Sequence, residues 1–370
     1  MAPIRVGFIL STEVGLKTYY LTWRRCLPAE ANVDPTWVVI DWWRKDGWLE
    51  RLPGVPRGLK SRIRAHLDVN AGLRGKQQDI LYVGKATVFY GSERLLARQP
   101  YVLDMDATPT QLAAFGDQYG QRRQLAIAEH VKSRLRQHVY DGAAAFVAWS
   151  NWTADSLVSD YGVNAARVHV VPPGIDLTAW RAPAREAREG DVHILFVGGD
   201  FQRKGGDLLL HWADTTRQTG WQLHLVTRDA VQTTNPNVRV YHGLGPNDPE
   251  LRRLYDQADL FALPTRADCY SLASIEAMAA GLPVILSEVG GTGDIIRDGE
   301  TGYLIPPGDG PAVAQRLDAL LDDPAARLRM GRAARLDAEA RYDARANIRR
   351  AVDIMRATVS HRSVRDLAAS

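Results

Sequence analysis

The chain has 370 residues, enough for two α/β domains with ample buried core. A content of 45% hydrophobic and 24% charged residues excludes a disordered or fibrous chain, and no run approaches the ~18 uninterrupted apolar residues of a membrane-spanning helix. Two cysteines, Cys26 and Cys269, are too few and too irregularly placed for a disulfide framework or a zinc site.

The opening MAPIRVGFIL carries one basic residue and runs straight into a strand, so it does not read as a signal peptide, and the cytosol is the expected compartment. The net charge of +3 hides an asymmetry. Residues 1–172 hold 22 Lys+Arg and 16 Asp+Glu, whereas residues 173–370 hold 24 and 27. Seven of the ten tryptophans also lie in the first half.

Arg5 to Leu10 reads as a first parallel strand, followed by a loop ending at Gly15 and a helix from Leu16 to about Leu27. A glycine at that junction lets backbone approach a phosphate with no Cβ in the way, or simply makes a turn. Strands are expected over Thr36–Ile40 and Asp79–Val83. Between them lie Trp42, Trp43 and Trp48, then Arg57, Lys60, Arg62, Arg64, Arg74 and Lys76 against Asp68. Either this is a solvated basic helix with its tryptophans in the core, or it is an interfacial patch on anionic lipid. The irregular apolar spacing favours the solvated helix.

Tyr101 to Leu103 is a strand running into Asp104-Met105-Asp106 and a Thr-Pro turn. Asp106 either hydrogen-bonds a substrate hydroxyl or caps the next turn. Gln121–Val139 has helical spacing, Ala143–Ser150 is a strand, and Ser150 begins another helix. After Val168–Val171, the run Pro172-Pro173-Gly174-Ile175-Asp176 falls where composition shifts and reads as a linker. The expected domains are therefore 1–172, joined by a C-terminal helix at about 345–370, and 173–344.

The second domain opens with His193–Val197, a strand ending in Gly198-Gly199, then Asp200-Phe201-Gln202-Arg203-Lys204-Gly205 and a helix. Lys204, at a loop-to-helix junction, is placed to neutralise a diphosphate leaving group. Trp221–Val226 and Val238–Tyr241 are strands, the latter ending at His242-Gly243-Leu244, and Leu251–Ala258 is a helix.

Then comes LPTRADCYSLASIEAMAAGLPVILSEVGG: strand, loop, helix, strand and turn. Ligands of such sheets collect at the carboxyl ends of the strands. Ser271, Leu272 and Ala273 would offer free N–H groups at a helix start, a natural anion site. Asp268 and Glu276 flank it, eight positions apart. Two carboxylates cannot sit on a phosphate but can accept hydrogen bonds from sugars on either side of one. The ligand implied is a nucleotide sugar. Helices are expected over Pro311–Leu321, Pro324–Tyr342 and Ala346–Val359, with the last ten residues frayed.

The Asp268-to-Glu276 block resembles the E-x7-E signature of the family 4 (GT4) retaining glycosyltransferases. Glu276-Ala277-Met278-Ala279-Ala280-Gly281-Leu282-Pro283-Val284 matches closely, while Asp268 stands for the usual first Glu and Tyr270-Ser271-Leu272 for Phe-Gly-Leu. Gly174 and Asp176 also match the family's boundary segment. The resemblance implies the GT-B fold: two doubly wound Rossmann-like α/β domains facing across a cleft.

It also implies that Asp268 binds the donor hexose and Glu276 the ribose. Gly15 would touch the diphosphate, and backbone at Gly243 and Leu244 the base. The family's Arg is replaced by Gly199, with Arg203 beside Lys204 as the expected compensation. Asp106 falls where many members have a His beside the reacting sugar. No cofactor or metal is expected; the substrate is a UDP- or GDP-sugar and the acceptor a glycan or lipid-linked glycan in polysaccharide assembly. No nucleic-acid partner is expected. Peripheral contact with the inner membrane face belongs to the lipid reading of the tryptophan segment. The rivals are a GT-B nucleotide-sugar epimerase, which would act on donor alone, and a non-catalytic sugar-nucleotide-binding protein.

Overall fold

The computed structural model describes residues 3–369 other than 14, 28, 46, 85–98, 120–125, 182–185 and 187–189. The chain divides into two compact units. One holds Met1–Thr110, Arg122–Pro172 and Arg345–Ser370; the other holds Gln111–Gln121 and Pro173–Ala344.

The first unit is built on an all-parallel sheet of β1 (Ile4–Ser11), β2 (Val33–Ile40), β3 (Ile80–Val83), β4 (Tyr101–Met105), β5 (Ala145–Ala148) and β6 (Val168–Val170). Their order is β2-β1-β3-β4-β5-β6. Strands such as ILYV and AFVA are apolar throughout because helices cover both faces of a parallel sheet. The chain moves from β1 outward to β2 and then crosses back to β3, so the order reverses between β1 and β3. A crevice opens at such a reversal.

The second unit repeats the plan with β7 (Val192–Val197), β8 (Trp221–Val226), β9 (Val238–Tyr241), β10 (Leu260–Leu263), β11 (Val284–Ser287) and β12 (Gly302–Ile305). The order is β12-β11-β10-β7-β8-β9, and the reversal falls between β7 and β10. Local chemistry sets the helix starts. Asp248, Ser271, Asp309 and Asp323 each accept a first-turn N–H of the helix they precede. The helix Leu272–Ala279 packs against the helix Pro324–Arg341 at backbone distance: a Cβ on Gly331 would fall 2.4 Å from the Gly281 carbonyl oxygen.

The two doubly wound parallel sheets expected from the sequence are thus both present. The expected helix start at Gln121 lies outside the described residues, and the helix is seen over Ala126–Gly142. The final helix runs Ala344–Ala369.

The segment after β2 departs from expectation. Helix α2 (Arg57–Leu73) follows α1 (Leu16–Cys26) and is not simply a solvated basic helix. Its Lys60 and Arg64 are buried: Lys60 Nζ donates to the carbonyls of Glu50 and Leu52, and Arg64 pairs with the Glu50 carboxylate at 2.5 Å. Meanwhile Trp43 and Trp48 are 38% and 63% exposed, and only Trp42 of that trio packs against the core. The turn at 47–52 supplies an anion and two carbonyls that a pattern of apolar spacing cannot reveal.

Candidate donor site in the second unit and pocket in the first

At the β7/β10 reversal, the two loops leaving those strands are laced together. Arg266 N–H donates to the Arg203 carbonyl at 2.8 Å, and Arg203 Nη1 donates to the Ala267 carbonyl at 2.7 Å. The Arg266 guanidinium holds Asp207 with two bonds of 2.7 and 2.8 Å. Gly205 makes the approach possible. Its φ is +77°, and a Cβ there would lie 2.0 Å from the Pro264 carbonyl oxygen.

This lacing brings Lys204 and Asp268 together from 64 residues apart: Lys204 Nζ donates to Asp268 Oδ2, with the side chains 15% and 6% exposed. Arg203 is engaged differently. Its Nε donates to Asp200, and its guanidinium lies 4.8 Å from the centre of the Tyr119 ring. Its charge is committed to holding the loop.

Gly199 borders a cation that sequence reading did not single out. A Cβ there would fall 2.6 Å from Arg228 Nε, so the guanidinium lies directly against the glycine. Arg228 is exposed and forms no hydrogen bond or ion pair among the described residues.

Ser271 caps the helix Leu272–Ala279 by accepting from Ser274 N–H at 3.2 Å. The N–H groups of Leu272 and Ala273 fall in the first turn, whose donors the helix itself cannot use. One turn on, the buried Glu276 carboxylate accepts a 3.1 Å hydrogen bond from Tyr255 Oη. Burial pushes its pKa up to about 7, against the opposing effects of the Tyr255 hydroxyl and the Arg252 charge. The loop carrying Asp268 is anchored from behind. Gly291 N–H donates to the Cys269 carbonyl at 3.0 Å, and Gly290, at φ +61°, lies against the Asp268 carbonyl. Gly243, at φ +79°, follows β9, with Leu244 half-buried beside it.

One carboxylate of these loops, Asp229 next to Arg228 in the chain, accepts from Phe201 N–H at 2.7 Å. Carboxylates Asp200, Asp207 and Asp268 are each matched by Arg203, Arg266 and Lys204. Arg228 and the first-turn amides are left to meet an added anion, and Glu276 is a buried acceptor suited to neutral hydroxyl donors.

The β1/β3 reversal of the first unit holds a second feature, a small pocket lined by Leu10, Ser11, Leu16, Tyr19, Gly84, Asp104, Asp106 and Trp149. Gly15, at φ +82°, stands just before α1 at its edge, and its carbonyl accepts from Thr18 N–H. Asp106 is half-buried on the lining. Asp104 beside it is 2% exposed and accepts from Trp149 Nε1 at 2.8 Å. Burial pushes Asp104 up to about pKa 7, although hydrogen bonds from Trp149, Tyr19 and Tyr82 oppose the rise. Sequence reading paired Asp104 with Asp106 only as a motif; its burial among two tyrosines and a tryptophan from three other elements left no local signal.

Comparison with known proteins follows the two units. The model "Glycosyltransferase Family 4" matches residues 21–179, and "Glycosyl transferases group 1" matches residues 191–323. The chain is 33% identical over 222 residues to a D-inositol 3-phosphate glycosyltransferase of Pseudarthrobacter chlorophenolicus, covering 54% of this chain and 53% of that protein. It therefore spans about half the length of the curated relatives it matches. Among solved structures, the sucrose-phosphate synthase of Thermosynechococcus elongatus superposes with a TM-score of 0.77 at 18% identity, covering 99% of this chain and 100% of that one. Anabaena Alr3699/HepE in complex with UDP-glucose superposes with a TM-score of 0.68 at 14% identity, covering 96% and 100%.

Proposed function

The chain belongs to the family 4 glycosyltransferases of the GT-B fold, and on that footing we propose that it moves a hexose-type sugar from a nucleotide-sugar donor to a glycan or lipid-linked acceptor with retention of anomeric configuration. The observation that carries this reading is the company Glu276 keeps. A buried carboxylate with no ion pair among the described residues sits one turn behind helix-start amides, beside a loop presenting Lys204. Acid, amides and cation in that order suit ribose, diphosphate and leaving-group charge.

In this reading the donor diphosphate lies on the Leu272 and Ala273 amides, and Arg228 supplies the cation that Gly199 lacks. Lys204 turns from Asp268 toward the phosphate oxygens, which frees Asp268 to accept a hydroxyl of the donor sugar. The C–O bond to the diphosphate breaks as the acceptor oxygen bonds the same face of the anomeric carbon. The acceptor proton passes to a donor phosphate oxygen, so no protein base is required. The fixed cations and amides act because they are oriented before charge develops on the leaving oxygen. Asp106 and the first unit's pocket are assigned to the reacting sugars, and Gly243 and Leu244 to the base.

The test is a panel of labelled UDP-, GDP- and ADP-hexoses, assayed for transfer and for hydrolysis, with product configuration read by NMR. Transfer with retention, abolished in Glu276→Ala, is the expected result. Epimerisation of donor without acceptor would replace this reading with an isomerase, and binding without any product would replace it with a non-catalytic role.

A further inference from the structure

Tyr255 is fully buried on the helix Pro249–Gln257, whose start Asp248 caps by accepting from Glu250 N–H at 2.8 Å. Its ring meets Trp180 edge-on at 5.1 Å and stacks with Phe261 of β10 at 6.0 Å. Trp180 is itself held, because the Arg252 guanidinium lies 5.1 Å from its ring and donates to the Ala179 carbonyl at 2.7 Å. Close packing on both sides fixes where the Tyr255 hydroxyl stands. From there it reaches two acceptors at nearly equal distance, Glu276 Oε2 at 3.1 Å and the Ala273 carbonyl at 3.2 Å. Burial, and after it the Glu276 charge, hold this hydroxyl well above its ordinary pKa, so it remains a donor.

The two acceptors belong to different parts of the donor site. The last torsion of a glutamate is broad and nearly two-fold, so an untethered carboxylate turns freely. Here Oε2 is tied, and among the described residues Tyr255 is the one hydrogen-bond donor to this carboxylate. Oε1 is left to face a ligand, on a residue that keeps 9% of its surface exposed. The Ala273 carbonyl lies in the first turn of the helix Leu272–Ala279, the turn that carries the Leu272 and Ala273 amides. One hydroxyl therefore braces the carboxylate and that turn together and sets the reach between them.

We propose that Tyr255 is a positioning residue for the donor's ribose: its hydroxyl holds Glu276 Oε2 so that Oε1 is aimed at the ribose 2′- and 3′-hydroxyls. This role rests on Glu276 being the ribose acceptor and names the group that aims it. Tyr255 touches no substrate atom, and its effect passes through Glu276. Its consequence is selectivity. A carboxylate oriented before the ligand arrives rewards a ribose, whereas a sugar without those hydroxyls gains nothing from the orientation.

The test is calorimetric titration of the full chain with UDP, GDP and ADP and with their 2′,3′-dideoxy counterparts. The parent should bind at least one ribonucleoside diphosphate about tenfold or more tighter than its dideoxy form, the worth of hydrogen bonds to a charged acceptor. Tyr255→Phe keeps the ring and its packing; it should cut that preference about fivefold while leaving dideoxy affinity within about twofold of the parent. In a Glu276→Gln background the same change should add little, since the two residues act as one unit. Glu276→Asp keeps the charge but withdraws it from Tyr255, and it too should lose the preference, which serves as the reading if Tyr255→Phe does not fold. A full preference retained in Tyr255→Phe or in Glu276→Asp would overturn the positioning role and leave the ribose contact standing. An equal loss of ribo and dideoxy affinity in Tyr255→Phe would overturn it in favour of a purely structural tyrosine. No preference in the parent, or one that survives Glu276→Gln, would overturn the ribose contact and the positioning role together.

Discussion

Replacing Glu276 with Gln keeps the shape of the side chain and removes a charge that the fold tolerates at a cost. In the folded chain, burial raises this carboxyl from the ordinary 4.5 to about 7. A raised carboxyl binds its proton more tightly when folded. The destabilisation is therefore absent below about pH 4.5, grows as pH rises, and is complete above about 7. Some two and a half pH units, at about 1.4 kcal/mol each, give on the order of 3 kcal/mol at pH 8. The glutamine amide oxygen still accepts from Tyr255, and nothing ionises. Thermal unfolding of the second unit should shift up by roughly 6–10 °C at pH 8, and the gain should shrink below about 1 kcal/mol at pH 5. Affinity for nucleoside diphosphates should move the opposite way, falling about tenfold or more with loss of a charged acceptor. A variant less stable than the parent at pH 8, or an equal gain at both pH values, would refute the reasoning.

Lys204→Met leaves the Asp268 carboxylate, 6% exposed, without its partner; unfolding in urea should show a loss of about 3 kcal/mol, largely recovered in Lys204→Met/Asp268→Leu. Gly205→Ala forces a Cβ onto the Pro264 carbonyl at φ +77°, and a drop of about 3 kcal/mol or more is expected from left-handed strain plus overpacking. Asp104→Asn should stabilise the first unit at pH 8 by on the order of 4 kcal/mol and by less than about 1 kcal/mol at pH 4, since burial lifts the native carboxyl from 3.8 to about 7. Calorimetry across pH 4–8 reads that difference directly.

Much of the fold was legible because strands covered on both faces read as short apolar runs, and LFAL and VILS are such runs. The Ser271–Pro283 block was legible for a different reason: cap, helix, glycine and proline each act within a few residues. What escaped notice depends on neighbours distant in sequence. Arg228 reaches Gly199 only because β8 pairs beside β7, carrying its far end to the same edge. Tyr255 meets Glu276 across 21 positions, and Tyr119 belongs to a stretch that joins the second unit although most of its sequence neighbours join the first. Helix α2 misled for a related reason. Lys60 is satisfied by main-chain carbonyls at Glu50 and Leu52, acceptors that carry no side-chain signature.

The grip on a diphosphate is tested most directly by calorimetric titration of UDP, GDP and ADP, and of the matching nucleosides, into the parent chain, Lys204→Ala and Arg228→Ala. At least one nucleoside diphosphate should bind the parent at least a hundredfold tighter than its nucleoside, and each variant should cut that ratio about tenfold while leaving nucleoside binding unchanged. An equal affinity for diphosphate and nucleoside, or no binding of any nucleotide, would contradict the account of the second unit's crevice.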